Sequence, residues 1–395
     1  MYENMTILAL FVFVYSLVGG RLAKSPISGA IIFTAFGLAF GPLGFGVLNL
    51  NADGEQIRLL AELTLALVLF TDAANSNLGV LRQHVHLPGR LLLIGLPLTV
   101  LLGFGVGVLM FDKLTLLELA ILATMLAPTD AALGKAVVTN ESVPPRIREG
   151  LNQESGLNDG ICVPVLLLLL AVAAHPGEGG ASLLALKLVA GQIGVGAVVG
   201  LALTVLAAWL FRQFNLRGWI SESWRQLPVP ALAVACFALA QWLGGSGFIA
   251  AFTGGLLFGW LAKDRKHTLL LAAEGTGDTL ALITWVVFGA VVIARAANNI
   301  TWPIVLYAVL SLTLIRMLPV FLALAGLGLS TKEKLFIGWF GPRGLASIVF
   351  GVIVFDAHLP GGVTLIATVV CTILLSIVAH GLSAGPLAAA LKRKS

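Results

Sequence analysis

The sequence predicts an all-α, polytopic membrane protein of about thirteen transmembrane helices. Three observations carry that fold class. Of its 395 residues, 58% are hydrophobic and only 11% are charged, against about 25% charged in an ordinary soluble domain. The mean hydropathy is +0.99. The apolar residues also come in long continuous runs, not in the period-two alternation of a membrane barrel. So few charges cannot cover the surface of a water-soluble enzyme, and no enzymatic activity or resident cofactor is expected.

The runs fall at roughly 5–20, 26–48, 57–81, 89–111, 115–139, 146–174, 183–211, 228–243, 247–262, 267–294, 302–327, 333–356 and 363–391. Each is close to the roughly 20 residues that a helix needs to cross a bilayer, the eighth being a short one. The connections that remain average about ten residues each, so no soluble domain is expected. Glu3 stands where a cleaved signal would carry positive charge, and Arg21 and Lys24 follow the first run instead, against a signal peptide.

Lysine and arginine fix the expected orientation. With the N-terminus outside and the C-terminus inside, the outer connections hold four of them, Arg58, Lys113, Lys187 and Arg295. The inner connections hold 17, from Arg21 and Lys24 through Arg82, Lys263, Arg265 and Lys266 to Lys392, Arg393 and Lys394. The net charge of +5 is therefore that of a positive-inside membrane protein, and no nucleic-acid partner is expected. Cys162, Cys236 and Cys371 lie in apolar runs without metal-ligand spacing, as small buried residues do.

Two runs are interrupted. The fifth carries Ala127-Pro128-Thr129-Asp130 and the twelfth carries Gly341-Pro342-Arg343-Gly344. Proline removes a backbone donor and breaks the helical ladder, and irregular backbone at membrane depth survives only against protein or a wet cavity. The two interrupted helices are seven apart in the order of spans, an odd offset, so they run in opposite directions. That is the mark of inverted-topology repeats, with a site where two crossed discontinuous helices meet near the midplane.

Ionisable residues inside a membrane are costly and therefore functional candidates. Asp159 leads them. It lies in Glu154-Ser155-Gly156-Leu157-Asn158-Asp159-Gly160 on the sixth run, where Ser155 and Asp159 share one helix face and Glu154 and Asn158 share the next. Asp130 and Thr129 sit in the unwound stretch of the fifth. Together they offer carboxylate, hydroxyl and carbonyl oxygens, the donors that hard cations take. A carboxylate in a half-dry cavity holds a proton more readily than in water, so cation and proton compete for it. Arg343 stays charged and needs a buried partner, for which Glu154 is the expected choice. Asp72 in the third run is either an access-path acid or a helix–helix hydrogen-bond partner. Glu274 and Asp278, four apart near the inner end of the tenth run, read as a partly wet pair on the access path. No phosphate-binding Gly-x-x-x-x-Gly-Lys-Ser/Thr loop and no Thr-Val-Gly-Tyr-Gly filter is present, against an ATP-driven pump or a potassium channel of that design.

These three motifs resemble those of the monovalent cation:proton antiporters, in particular the NhaP/Na⁺/H⁺-exchanger branch, and the resemblance extends over essentially the whole chain. It implies an antiporter-type inverted-repeat fold and a homodimer. It implies a transport core of about 89–174 and 302–391 and a dimerisation scaffold of about 1–81 and 183–294. It implies Asp159 as carrier of Na⁺ (or Li⁺) or the proton, with Asp130, Ser155 and Thr129 as the other cation ligands. Asn158 would orient the site, and Glu154 and Arg343 would form a structural ion pair. It further implies electroneutral exchange across the plasma membrane by alternating access, with the core moving as an elevator. K⁺/H⁺ exchange remains the alternative within the class, and an organic-anion symporter of the same architecture the alternative outside it. Two acids at the crossing favour a cation over an anion. The chain departs from the family pattern in three places. Ala131 follows Asp130 where proline is frequent, Asp72 stands where glutamate is frequent, and the sequence ends at Ser395 without a long regulatory tail.

Overall fold

The computed structural model describes residues 2–22, 28–48, 50, 54–76, 86–174, 181–222, 224–263 and 266–392. Lys24, Arg82, Arg265, Arg393, Lys394 and Ser395 lie outside them. Among the described residues all regular structure is helical. Each apolar run of the sequence carries helix, and seven helices are long and apolar enough to cross a membrane, with shorter apolar helices beside them.

In chain order the helices are α1 (Tyr2–Leu22), α2 (Gly29–Phe40), α3 (Gly54–Asn75), α4 (His86–Met110), α5 (Leu116–Met125) and α6 (Ala131–Val138). There follow α7 (Pro145–Ala173), α8 (Ala181–Leu216), α9 (Pro228–Trp242), α10 (Gly247–Ala262) and α11 (Lys266–Val287), which runs on through a π turn at Phe288–Val292. The last are α12 (Trp302–Leu312), α13 (Leu314–Ala323), α14 (Thr331–Trp339), α15 (Leu345–Asp356) and α16 (Gly362–Lys392). The fifth run is thus α5 and α6, and the twelfth is α14 and α15, each broken where its proline stands.

The chain divides into two compact units. One comprises Met1–Arg58, Gly89–Ser155 and Leu282–Ser395. Within it the long α16 packs along α12, α15 and α6, while α4 packs on α5 and α13. Arg58, at the start of α3, pairs with Asp356 at the end of α15 at 2.8 Å. The other unit comprises Leu59–Pro88 and Gly156–Ala281. There α8, α9 and α10 pack on one another. Gly255 and Gly259 of α10 bring that helix against the backbone of Phe70 and Ala74 in α3, where a Cβ would collide. Close approach through small residues is how apolar helices associate when lipid gives no hydrophobic drive.

Cys162, Cys236 and Cys371 are all buried and none of them is in a disulfide, the small-residue role expected of them. Among the described residues no group of three or more His, Cys, Asp or Glu is placed to hold a metal ion.

Candidate functional site

Each break leaves backbone groups without helical partners, because a helix end exposes its first N–H and last C=O groups. At the first break α5 stops at Met125 and α6 starts at Ala131; at the second, α14 stops at Trp339 and α15 starts at Leu345. The structure brings these two breaks together, as the inverted-repeat reading expects.

Asp130 is the joint. Its amide donates to the Pro342 carbonyl at 2.8 Å. Its Oδ1 accepts the Leu133 N–H of its own following helix at 2.9 Å. Its Oδ2 accepts the Leu345 N–H of α15 at 2.6 Å. One carboxylate therefore caps two helix N-termini, where macrodipoles place positive potential. Only glycine fits at 344, since a Cβ there would collide with the Asp130 carboxylate. In exchange, the second break serves the carbonyls of the first. The Arg343 guanidinium donates to the Ala127 carbonyl and to the Pro128 carbonyl at 2.9 Å, and Ser347 Oγ donates to the Met125 carbonyl at 2.8 Å. Arg343 is wholly buried.

Helix α7 meets the first break through a hydroxyl pair. Thr129 Oγ1 and Ser155 Oγ stand 2.8 Å apart, both buried. Asn158 and Asp159 follow on the same helix, both buried, with Asp159 one turn beyond Ser155 on the same face.

The expected Glu154–Arg343 ion pair is not the one formed. Both Glu154 oxygens are taken by Arg316 of α13, at 2.5 Å to Nη1 and 2.7 Å to Nη2, and each side chain is 1% exposed. The fork of a guanidinium matches a carboxylate bidentately, and Arg343 is committed to carbonyls instead. Arg316 was not among the sequence candidates. It is a single charge in Leu314-Ile315-Arg316-Met317-Leu318, with no motif around it. The signal was there all the same, because a lone arginine centred in an apolar run requires a buried acid.

Asp72, Glu274 and Asp278 lie in the other unit, to which Asn158 and Asp159 also belong. Asp72 is half-buried and packs beside α7. Its carbonyl and Cβ are 3.5 and 3.6 Å from where a Cβ at Gly156 would stand, three residues from Asp159. Glu274 Oε1 accepts from Asn75 Nδ2 at 2.7 Å, and Lys266 Nζ donates to the Ala74 and Asn75 carbonyls at 3.4 and 3.0 Å. Burial lowers the pKa of Lys266. The start of α11 thus holds the end of α3. Asp278 is exposed.

Two discontinuous helices crossed at a buried acid, with a buried hydroxyl pair on the first break, form the architecture of secondary transporters built from inverted repeats. The particular lineage follows from comparison with known proteins. The chain belongs to the sodium/hydrogen exchanger family, whose transmembrane region it matches over residues 7–390. It is a multi-pass membrane protein. It is 25% identical over 382 residues to the K(+)/H(+) antiporter NhaP2 of Shewanella sp. (strain ANA-3), covering 93% of this chain and 65% of that relative. It is 25% identical over 357 residues to a Na(+)/H(+) antiporter of Schizosaccharomyces pombe, covering 82% of this chain and 73% of the other. The chain thus spans just under two thirds of the length of the NhaP2 relative. Its backbone is similar to that of the sodium proton antiporter MjNhaP1 of Methanocaldococcus jannaschii, with a TM-score of 0.78 at 21% identity, covering 96% of this chain and 99% of that one.

Proposed function

We propose that the chain is a secondary antiporter that exchanges a monovalent cation, Na⁺ or Li⁺, for protons, one for one, by alternating access. The observation that carries this reading is the Asp130 crossing, where two helix breaks are tied together by one buried carboxylate beside the Thr129–Ser155 hydroxyl pair. Asp159 is the carrier, loaded alternately by cation and proton. Asp130, Ser155 and Thr129 complete the oxygen set and Asn158 orients it. A carboxylate desolvated in a protein interior gains affinity for whichever positive charge reaches it, so binding one ion displaces the other. Asp72, Glu274 and Asp278 belong to the access path. The transport core is formed by about 89–174 and 302–391. The protein works as a homodimer in the plasma membrane, N-terminus outside and C-terminus inside, as an exchanger without enzymatic activity or cofactor.

K⁺/H⁺ exchange is the second reading. It is favoured by the names of the NhaP2 and NhaP relatives, which are called K(+)/H(+) antiporters. An anion symporter is disfavoured by the two acids.

Purified protein in proteoliposomes with an imposed pH gradient, followed with a pH-sensitive dye, tests the reading. Addition of Na⁺, Li⁺ or K⁺ collapses the gradient in wild type and leaves it standing in Asp159→Asn. A wild type that responds to none of them at any pH, or an Asp159→Asn variant as active as wild type, overturns it.

A further inference from the structure

Helix α16 meets the second break through three side chains on one stripe. Ser376, His380 and Ser383 are spaced i, i+4, i+7 and project from the same side of the helix. Ser376 Oγ accepts the Arg343 amide N–H at 2.7 Å. The His380 ring is buried, with Nδ1 3.1 Å from Ser376 Oγ and 2.9 Å from the Ser376 carbonyl one turn back. Its Nε2 lies 2.8 Å from the Trp339 carbonyl. Ser383 Oγ accepts the Trp339 indole N–H at 2.9 Å.

These contacts straddle the break. Trp339 is the last residue of α14, and Arg343 lies two residues before α15. A neutral imidazole protonated at Nε2 serves the Trp339 carbonyl and the Ser376 hydroxyl, while the Ser376 carbonyl, 2.9 Å from the unprotonated Nδ1, is then a neighbour of the ring and not its hydrogen-bond partner. Nε2–H donates to Trp339, Nδ1 accepts the Ser376 hydroxyl proton, and the same hydroxyl oxygen accepts the Arg343 amide. The stripe thus ties down both ends of 340–344, whose Pro342 carbonyl, with the Leu345 amide that follows the segment, holds Asp130.

We infer that His380 is a positioning residue for cation exchange: with Ser376 it clasps the break of the second discontinuous helix and thereby fixes the Asp130 carboxylate, without touching the cation. The inference rests on the antiport reading for its functional consequence and on geometry alone for the clasp.

The test compares His380→Leu, which removes both ring nitrogens, with His380→Gln, which restores one donor and one acceptor. In proteoliposomes, His380→Leu raises the cation concentration for half-maximal exchange by about tenfold or more, as leaving a buried polar group unpaired would. His380→Gln stays near wild type. Hydrogen–deuterium exchange reads the clasp without reference to transport: the amides of 340–345 exchange faster in His380→Leu and are protected in His380→Gln. A His380→Leu variant with less folded protein but wild-type half-saturation makes the histidine a core filler and overturns the inference. If wild type exchanges no monovalent cation, the antiport reading fails by itself. Unchanged protection of 340–345 in His380→Leu then overturns the clasp as well, and lost protection sustains it.

Discussion

Both broken helices open on the same device. Thr115 and Glu118 form a reciprocal cap at the start of α5, and Ser330 and Glu333 form one at the start of α14. Each helix then stops short at a proline-bearing break and resumes. From there the two diverge in charge. The first break contributes a carboxylate, Asp130, which takes N–H groups from α6 and α15. The second contributes a guanidinium, Arg343, which takes carbonyls from the first. They differ also in what they are fastened to. The first is joined through Thr129 to Ser155 on α7, the helix of Asp159, and the second through Arg343 and Trp339 to α16. A repeated backbone thus carries an unrepeated chemistry. One break carries the acid and the other buttresses it, and each satisfies orphan backbone groups of its partner.

The largest expected effect comes from the ion pair beside the first break. Arg316→Met leaves Glu154 charged, buried and unpaired, and should cost about 3–5 kcal/mol of stability, read as thermal denaturation in detergent. Arg316→Met combined with Glu154→Leu should lose less than Arg316→Met alone, because no stranded charge remains. Losses that simply add in the double variant would show that the two side chains are not coupled.

That pair also marks where sequence reading stops. The breaks were legible because proline has a local consequence: it deletes one donor wherever it stands. Asp130, Ser155 and Asp159 were legible because helical spacing and the cost of a buried acid are local too. The choice between Arg316 and Arg343 as the partner of Glu154 is not. It depends on where α13 passes relative to α7, which no spacing encodes, and Arg343 looked the better candidate because it sits in a motif. The interruption of the eleventh run at Thr313, between α12 and α13, was likewise invisible, since no proline or glycine stands at that residue.

A glycine pair separates the joint from its surroundings. Gly344→Ala drives a methyl group into the Asp130 carboxylate and should pull Oδ2 away from the Leu345 amide. Forced packing of that kind costs about 1–3 kcal/mol, and exchange should fall with it. Gly134, in the helix after the first break, has nothing within 4 Å of where its Cβ would stand. Gly134→Ala should be neutral or stabilise by about 0.5–1 kcal/mol, the gain of alanine over glycine inside a helix. Equal tolerance of alanine at both positions, by melting temperature and exchange rate, would mean that the close approach at Gly344 does not position Asp130.

The smallest effect tests the devices that look identical. Among the described residues Glu333 serves only its own cap, receiving the Ser330 amide at 2.7 Å and hydroxyl at 2.8 Å, and is half-buried. Glu118 receives the Thr115 amide at 2.9 Å, is buried, and spends its second oxygen on the Gly361 amide before α16, at 2.6 Å. Glu333→Ala should therefore cost about 0.5 kcal/mol, the low end for loss of a cap. Glu118→Ala strands the Gly361 donor as well and should cost about 1.5–3 kcal/mol, the range for hydrogen bonds to a charged group. Melting curves of the two variants side by side decide it. A difference of the expected size means that the first broken helix is locked to α16 at its start as well as at its break. Equal losses would reduce Glu118 to a cap like its counterpart, and would leave Asp130 as the residue that sets the two broken helices apart.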